Sequence, residues 1–113
     1  MNKIFFLLFF VCTSPVLAQI QKDFYEGGSK LKSEGMLKNG QKDGLWKYYD
    51  ESGNLTEETN FLNGKEEGLS KVYYADGKIS LQANYKAGIE NGAWEEFYQN
   101  GQPKVQGNFL EGN

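Results

Sequence analysis

Residues 39–62, NGQKDGLWKYYDESGNLTEETNFL, contain the pattern that decides the fold. The following 24 positions, NGKEEGLSKVYYADGKISLQANYK at 63–86, align with them without a gap. So do the next 24 positions, AGIENGAWEEFYQNGQPKVQGNFL at 87–110. A fixed period of this length is typical of a repeat array, in which each copy is one supersecondary unit.

Several columns of this alignment keep one kind of side chain in every copy. Glycine recurs at Gly40, Gly64, Gly88 and Gly112, at Gly44, Gly68 and Gly92, and at Gly53, Gly77 and Gly101. Large apolar residues recur at Tyr25, Tyr49, Tyr73 and Phe97, and at Leu37, Phe61, Tyr85 and Phe109. A tryptophan column holds Trp46 and Trp94, with Ser70 between them. The glycines indicate turns and the rings indicate packed positions.

Turn signals separate runs of six to nine residues that favour strands. The dipeptides Asn-Gly and Asp-Gly are strong hairpin signals, and they occur at 39–40, 43–44, 63–64, 76–77 and 100–101. The runs between them are rich in aromatic and β-branched residues. Because a lone hairpin is marginally stable, neighbouring hairpins must stack. The sequence therefore predicts an all-β fold, an elongated single-layer antiparallel meander of stacked β-hairpin repeats with 24 residues each.

Alternation along the strands predicts which side chains share a face. We expect two such groups, Leu55, Thr59 and Phe61, and Ile79, Leu81, Ala83 and Tyr85. Trp46 and Tyr49 are three positions apart, so either both faces of the sheet are partly covered or a bulge re-aims one ring. The predicted core consists of the rings of Tyr49, Tyr73, Phe97, Phe61, Tyr85 and Phe109.

Residues 1–18, MNKIFFLLFFVCTSPVLA, are typical of a signal peptide. Lys3 precedes an apolar run, and small residues stand at −3 and −1 before Gln19. The run is too short to cross a bilayer as a helix. This predicts export to the periplasm or the medium. The alternatives are an uncleaved interfacial anchor and a lipoprotein modified at Cys12.

The remaining chain is expected to form one domain. Residues 19–38 resemble a degraded capping repeat, and residues 39–113 form the array, with units 39–62, 63–86 and 87–110 and a partial unit 111–113. The edge at 105–110 could accept a strand from a partner. Alternatively, Pro103, Lys104 and Gly107 blunt it.

The composition after Cys12 excludes most catalytic chemistry, because it contains no cysteine, histidine or arginine. Ser/His or Cys/His catalysis and Cys/His zinc sites both require these residues. Adjacent carboxylates, as in Glu57-Glu58, point to opposite faces of a strand and form no dyad. Weak calcium binding at Glu66-Glu67 is the alternative to solvated turn charges. We expect no enzymatic activity, no cofactor and no metal.

Charge and aromatic content indicate the kind of partner. The 12 lysines face 15 carboxylates, and loss of Lys3 would bring the net charge from −3 to about −4. This disfavours nucleic acids and acidic membranes. The candidate partner-binding residues form one predicted exposed stripe for a protein or for sugar rings, Trp46, Tyr48, Trp94 and Tyr98.

The segments GLWKYYDESGNL at 44–55 and GAWEEFYQNGQP at 92–103, followed by NFLNG and NFLEG, resemble the MORN repeat variant. The resemblance covers about residues 24–113, with departures at Leu37, Ser70 and Pro103. It extends to bacterial proteins of the toxin-antitoxin system YwqK family antitoxin type. It implies an array of hairpins used as an interaction platform, with protein or, in some eukaryotic proteins, acidic phospholipid partners. The antitoxin label implies neutralisation of a toxin.

These observations predict an exported, non-enzymatic module that binds a protein partner. Two other functions are kept as alternatives, an antitoxin that neutralises a toxin partner and a carbohydrate-binding module that uses exposed aromatic residues. An enzyme of unrecognised type is the least favoured function, because the usual catalytic residues are missing.

Overall fold

The computed structural model describes residues 17–110, which form eight strands and no helix. The strands are β1 (Ala18–Phe24), β2 (Leu31–Lys38), β3 (Gln41–Tyr49), β4 (Leu55–Leu62), β5 (Lys65–Tyr73), β6 (Ile79–Lys86), β7 (Ile89–Phe97) and β8 (Pro103–Phe109). Most of the predicted signal peptide, residues 1–16, and the partial unit 111–113 lie outside the described residues.

All strands belong to one sheet in which each strand pairs antiparallel with its neighbours in sequence, from β1 to β8. The molecule measures 73 × 41 × 17 Å, and its radius of gyration is 19.6 Å. A compact domain of about 100 residues would have a radius of gyration of about 13 Å. The prediction of an elongated single-layer meander with two strands per 24-residue unit is therefore confirmed.

Two kinds of turn alternate along the sheet. Two-residue turns at 39–40, 63–64 and 87–88 have positive φ at both positions, which defines a type I′ hairpin. Five-residue loops at 50–54, 74–78 and 98–102 close the other edge, and each holds one glycine at positive φ, Gly53, Gly77 or Gly101. The Asp-Gly at 76–77 and the Asn-Gly at 100–101 thus lie between strands, which confirms the predicted turns. They belong to five-residue loops and not to two-residue hairpin turns.

The prediction of a turn at Asp43-Gly44 is wrong, because both residues lie inside β3. Gly44 has φ 81°, and its repeat equivalents Gly68 and Gly92 have φ 91° and 97°. At each of these glycines, three residues of β3, β5 or β7 face a single residue of the strand before it, β2, β4 or β6. Each of these irregularities is a large bulge. The Asn60 amide fills one bulge by donating to the Leu69 carbonyl at 3.1 Å.

A smaller bulge at the start of each second strand changes which side chains share a face. Tyr48 pairs with Glu57 and Tyr49 pairs with Leu55, so Thr56 is the extra residue. Leu55 therefore lies with Tyr49, on the face opposite Thr59, and the predicted grouping is wrong for Leu55. It is also wrong for the equivalent Ile79, which pairs with Tyr73. The grouping is right for Thr59 with Phe61, and for Leu81, Ala83 and Tyr85.

The two faces of the sheet carry different side chains, and each is named after its central row. The tryptophan face has the row Gly35, Trp46, Thr59, Ser70, Ala83, Trp94 and Gly107. The lysine face has the row Lys22, Glu34, Lys47, Glu58, Lys71, Gln82, Glu95 and Gln106. Trp46 and Tyr49 lie on opposite faces, so no bulge brings the two rings to the same face.

Burial is concentrated along the central row of the tryptophan face. Trp46 is 1% exposed, Thr59 3% and Ala83 4%. The rings that the sequence placed in the core are half-buried instead, because no second layer of structure covers the described sheet. Trp46 becomes buried by lying flat against Gly35, where a Cβ atom would sit 2.3 Å from the indole ring. Its Nε1 donates to the Met36 carbonyl at 3.0 Å.

Hydrogen bonds also connect consecutive units outside the ladders between paired strands. The amide of Gly64 donates to the Lys42 carbonyl at 3.0 Å, and the amide of Gly88 donates to the Glu66 carbonyl at 2.9 Å. The type I′ turns at 63–64 and 87–88 are therefore tied to the starts of β3 and β5, each in the preceding unit. At the loop edge, the Tyr25 hydroxyl donates to the Tyr49 carbonyl at 2.6 Å.

The contact between Trp46 and Gly35 predicts the effect of a single methyl group. Gly35→Ala should lower the free energy of unfolding by about 1–3 kcal/mol, because the indole must move out of a close-packed site. Gly107→Ala is the matched change, since a Cβ there would meet the half-buried Trp94 at 2.8 Å. We expect a smaller loss for it, because Trp94 lies near the end of the described sheet and can shift. Chemical denaturation would measure both values, and a fully stable Gly35→Ala protein would contradict this packing.

The three type I′ turns predict a stabilising substitution. Ala87 has φ 51° where the other two turns have Asn39 and Asn63, and a left-handed conformation is unfavourable for alanine by about 1–2 kcal/mol. Asparagine tolerates this conformation, so Ala87→Asn should raise the free energy of unfolding by about 0.5–1 kcal/mol. Asn63→Ala is the reciprocal control and should lower it by a similar amount. Equal thermal midpoints for the three proteins would show that turn strain is negligible here.

Candidate functional site

The first unit of the tryptophan face holds an ammonium group among aromatic rings. The Lys42 Nζ atom lies 4.8 Å from the centre of the Trp46 ring, 5.2 Å from Tyr48 and 5.0 Å from Phe61. It also donates a hydrogen bond to the Tyr48 hydroxyl at 2.8 Å. Cation–π attraction stabilises such an arrangement by about 0.5–2 kcal/mol per favourable ring. We call these four residues the lysine cage.

The four predicted partner-binding residues do not form a single exposed stripe. Trp46 is fully buried, Tyr48 and Trp94 are half-buried, and Tyr98 is 51% exposed. The expectation that Trp46 is exposed is wrong, since Gly35 leaves room for its ring to lie against the sheet. Tyr98 lies in a loop after β7, where the Lys104 Nζ atom is 5.9 Å from its ring. A role for these residues in binding a partner stays a prediction.

Two local groups replace the stripe. Trp46 and Tyr48 lie in the lysine cage, with ring centres 6.5 Å apart. Trp94 stacks instead on Phe109, with ring centres 5.8 Å apart and an angle of 30° between the planes. In the first group the Lys42 ammonium lies against the rings. The second group is half-buried, and no lysine occurs among the paired residues of β7 and β8.

Carboxylates surround Tyr85 in the middle of the tryptophan face. Burial raises the pKa of the Tyr85 phenol, and the charges of Glu90, Glu66 and Glu57 raise that pKa further. Glu90 is the direct cross-strand neighbour of Tyr85. The Glu57 carboxylate accepts a hydrogen bond from Thr59 Oγ1 at 2.7 Å. Glu90 is thus the direct neighbour of Tyr85, and the charges of Glu66 and Glu57 also act on its phenol.

The strand pairing separates charge between the two faces. Among the residues with a direct cross-strand partner, the tryptophan face carries one lysine, Lys42, and five carboxylates, Asp23, Glu57, Glu66, Glu90 and Glu96, a formal charge of −4; Lys32 and Lys104 stand at bulges and have no such partner. The lysine face carries six lysines, Lys22, Lys38, Lys47, Lys65, Lys71 and Lys86, and five carboxylates, Glu34, Asp43, Glu58, Glu67 and Glu95. The excess of carboxylates over lysines is therefore found on the tryptophan face.

The lysine face is held together by cross-strand polar contacts. Lys47 Nζ lies 3.9 Å from Glu58 Oε2, and such exposed ion pairs contribute about 0.2–1 kcal/mol. The Tyr49 hydroxyl donates to Glu34 Oε2 at 2.9 Å, and the Tyr73 hydroxyl donates to Glu58 Oε1. The polar side chains of this face therefore stabilise the pairing of neighbouring strands.

Tyr73 provides a pH test of this arrangement. Burial raises the pKa of its phenol to about 12, with further contributions from the hydrogen bond to Glu58 and from the charge of that carboxylate. A raised pKa of this kind contributes stability that is complete below pH 10 and is lost as the pH rises through about 12. Glu58→Gln should lower the pKa of Tyr73 without returning it to 10, because burial remains. Ultraviolet titration of tyrosinate, with Tyr73→Phe to identify the signal, would detect the change. An unchanged titration in the Glu58→Gln protein would contradict the contact.

The described residues contain neither a group of metal-binding side chains nor a helix that could span a membrane. Within residues 17–110, no three side chains of histidine, cysteine, aspartate or glutamate approach closely enough to bind a metal ion. The same part of the chain contains no helix with the length and hydropathy needed to cross a membrane. Glu66 and Glu67, considered above as a calcium site, lie in β5 and not in a turn.

The sequence prediction missed the residues that give the tryptophan face its charge. Lys42, Glu66 and Glu90 occupy one repeat column, and their change from lysine to glutamate is visible in the alignment. Their position beside the aromatic rings was not visible, because the bulges at Gly44, Gly68 and Gly92 set the pairing between strands. The change from lysine to glutamate in this column could have been noticed in the sequence. Its position beside the rings required knowledge of the bulges.

Comparison with known proteins supports the repeat assignment. A family model described as MORN repeat variant matches residues 42–63, 66–87 and 90–111. The matches begin 24 residues apart, which is the period found within the chain. A comparison with curated proteins gave no match.

Proposed function

Because the chain belongs to the MORN repeat variant family, we propose that it is an exported, non-enzymatic module that binds a protein partner on its tryptophan face. The observation that carries this proposal is the exposed side of a single-layer sheet, on which aromatic rings and unneutralised carboxylates lie together. Aromatic residues are enriched at protein interfaces, and complementary charge provides specificity.

The dimensions of the sheet favour a macromolecular partner over a small ligand. A face built from eight adjacent strands of seven to nine residues is broad enough for the roughly 800 Å² that each partner contributes to a standard protein interface. Small ligands are usually enclosed in a concave site. A flat, 17 Å thick sheet provides breadth without enclosure.

Export is proposed from the sequence of residues 1–18, which combines Lys3, an apolar run and a cleavage pattern before Gln19. The absence of cysteine after Cys12 is compatible with an oxidising compartment, because this part of the chain has no thiol to oxidise. Detection of the mature chain in a periplasmic or culture fraction, beginning at Gln19, would test this part of the proposal.

Two alternatives are distinguished by their partners. An antitoxin would bind a toxic protein, and co-expression with the product of a neighbouring gene would reveal protection. A carbohydrate-binding module would need exposed ring faces; Trp94 is half-buried and Tyr98 is exposed, but burial of Trp46 removes the largest ring of the first unit. A change of tryptophan fluorescence on titration with polysaccharides would favour the carbohydrate function.

The proposed function predicts a face-dependent capture of protein. The full-length mature chain, immobilised through its C-terminus, should recover a partner from envelope extract of the source organism. Trp94→Ser should reduce recovery at least fivefold, because tryptophan is enriched among the few interface residues whose loss weakens binding by more than about 1 kcal/mol. Lys71→Ser, on the opposite face, is the matched control and should leave recovery unchanged. Recovery that is absent, or equally reduced by both substitutions, would contradict the proposal.

A further inference from the structure

The lysine cage shows how the tryptophan face accommodates a cation. Its ammonium group lies about 5 Å from three ring centres, as the Lys42 distances of 4.8, 5.0 and 5.2 Å record. This group belongs to the chain itself. The Lys42 ammonium thus occupies the position that a cationic ligand would take, and the rings of Trp46, Tyr48 and Phe61 form the surface that binds it.

The later units keep part of this set of rings and replace the cation by an anion; the Tyr48 position holds Val72 and then Glu96, and the Trp46 position holds Ser70 in the second unit. Advancing from Lys42 by one and two periods leads to Glu66 and Glu90. Advancing from Phe61 leads to the rings of Tyr85 and Phe109, and the second period after Trp46 leads to Trp94. The third unit thus combines the stacked Trp94 and Phe109 rings with Glu90 and Glu96 on the same face.

These carboxylates are not neutralised by lysines of the same chain. Within residues 17–110 the one ion pair joins Lys47 to Glu58, and it lies on the lysine face. Glu57, Glu66 and Glu90 instead lie close enough to Tyr85 to raise its pKa together. A surface with a formal charge of −4 and half-buried rings is complementary to ammonium groups supplied from outside.

We propose that the tryptophan face from β5 to β8 is the docking site for an extended, lysine-bearing segment of the partner protein. This inference rests on the proposed function and specifies the chemistry of the partner. The segment would place ammonium groups beside Glu66 and Glu90, against the rings of Tyr85, Trp94 and Phe109, as Lys42 does in the first unit.

The strand spacing sets the spacing of the cations. Glu66 lies in β5 and Glu90 in β7, two strands apart, and neighbouring strands are separated by about 4.8 Å. The two anionic positions are therefore about 10 Å apart across the sheet. A polyproline II segment with lysine at every third residue repeats every 9 to 10 Å or so and presents all its lysines on one side.

A peptide titration tests the inference with a defined probe. The purified full-length chain would be titrated by calorimetry with a capped peptide of Lys-Pro-Pro repeated four times. We expect saturable binding that weakens with added salt, because the contacts involve partly exposed charges. The same peptide with acetylated lysines should not bind. Trp94 fluorescence, measured in a Trp46→Phe background if needed, would report contact with the third unit.

Matched double variants distinguish a site from general electrostatic attraction. Glu66→Gln with Glu90→Gln should weaken peptide binding about tenfold or more, since two charge contacts are lost. Asp43→Asn with Glu95→Gln removes the same charge from the lysine face and should change affinity less than twofold, a factor expected for distant screened charges. Both double variants should fold normally, which circular dichroism would check, and equal weakening by the two would overturn the inference.

The outcomes separate this inference from the proposed function. If the captured protein depends on Trp94 but not on Glu66 and Glu90, the interaction module stands and the lysine-bearing partner is wrong. Self-association that is lost with the Glu66→Gln and Glu90→Gln pair would assign the face to a second copy and also overturn the inference. Peptide binding abolished by this pair and retained by the lysine-face pair is the result that supports it.

Discussion

A sheet with a single layer must bury its large side chains against itself, and the contact between Trp46 and Gly35 shows how. The indole ring lies across the neighbouring strand at a position where a Cβ atom would be only 2.3 Å away. The Trp46 ring is thus buried against the neighbouring strand of the same sheet, and not against a second layer. The same pairing of a large ring with a glycine returns at Trp94 and Gly107, while the small Ser70 and Ala83 fill the row between them. Most other side chains remain half-buried, which leaves both faces available to solvent or to a partner.

The repeat period made the architecture predictable, but the local pairing was not. Gly40 and Gly64 follow asparagine in two-residue turns, as the sequence indicated. Gly44 follows aspartate, another turn signal, yet it lies inside a strand, because a glycine at positive φ serves a bulge as well as a turn. The extra residue Thr56 then moves Leu55 to the opposite face. The extra residue at the start of the strand breaks the alternation there, so alternation read from the sequence failed at Leu55 and Ile79 and held for the residues after them.

The candidate site depended on these same shifts. The sequence identified the aromatic residues, and it placed Trp46 at the surface because nothing in a single strand indicates that a glycine faces it across the sheet. The charges were overlooked for a related reason: Glu66 appeared to belong to a turn, whereas the bulge brings it into β5, near the ring of Tyr85. The distribution of carboxylates on one side and lysines on the other became visible only when the pairing between strands was known.

The bond from Gly64 to the Lys42 carbonyl, repeated from Gly88 to Glu66, has a consequence for how such a protein can evolve. Both the donor and the acceptor recur in every copy, so a gene that gains or loses one copy still encodes ends that match. Variation in copy number would lengthen or shorten the molecule while leaving each junction chemically unchanged. The length of the molecule can therefore change by recombination alone. The residue at the Lys42 position can diverge separately in each copy, as Glu66 and Glu90 show.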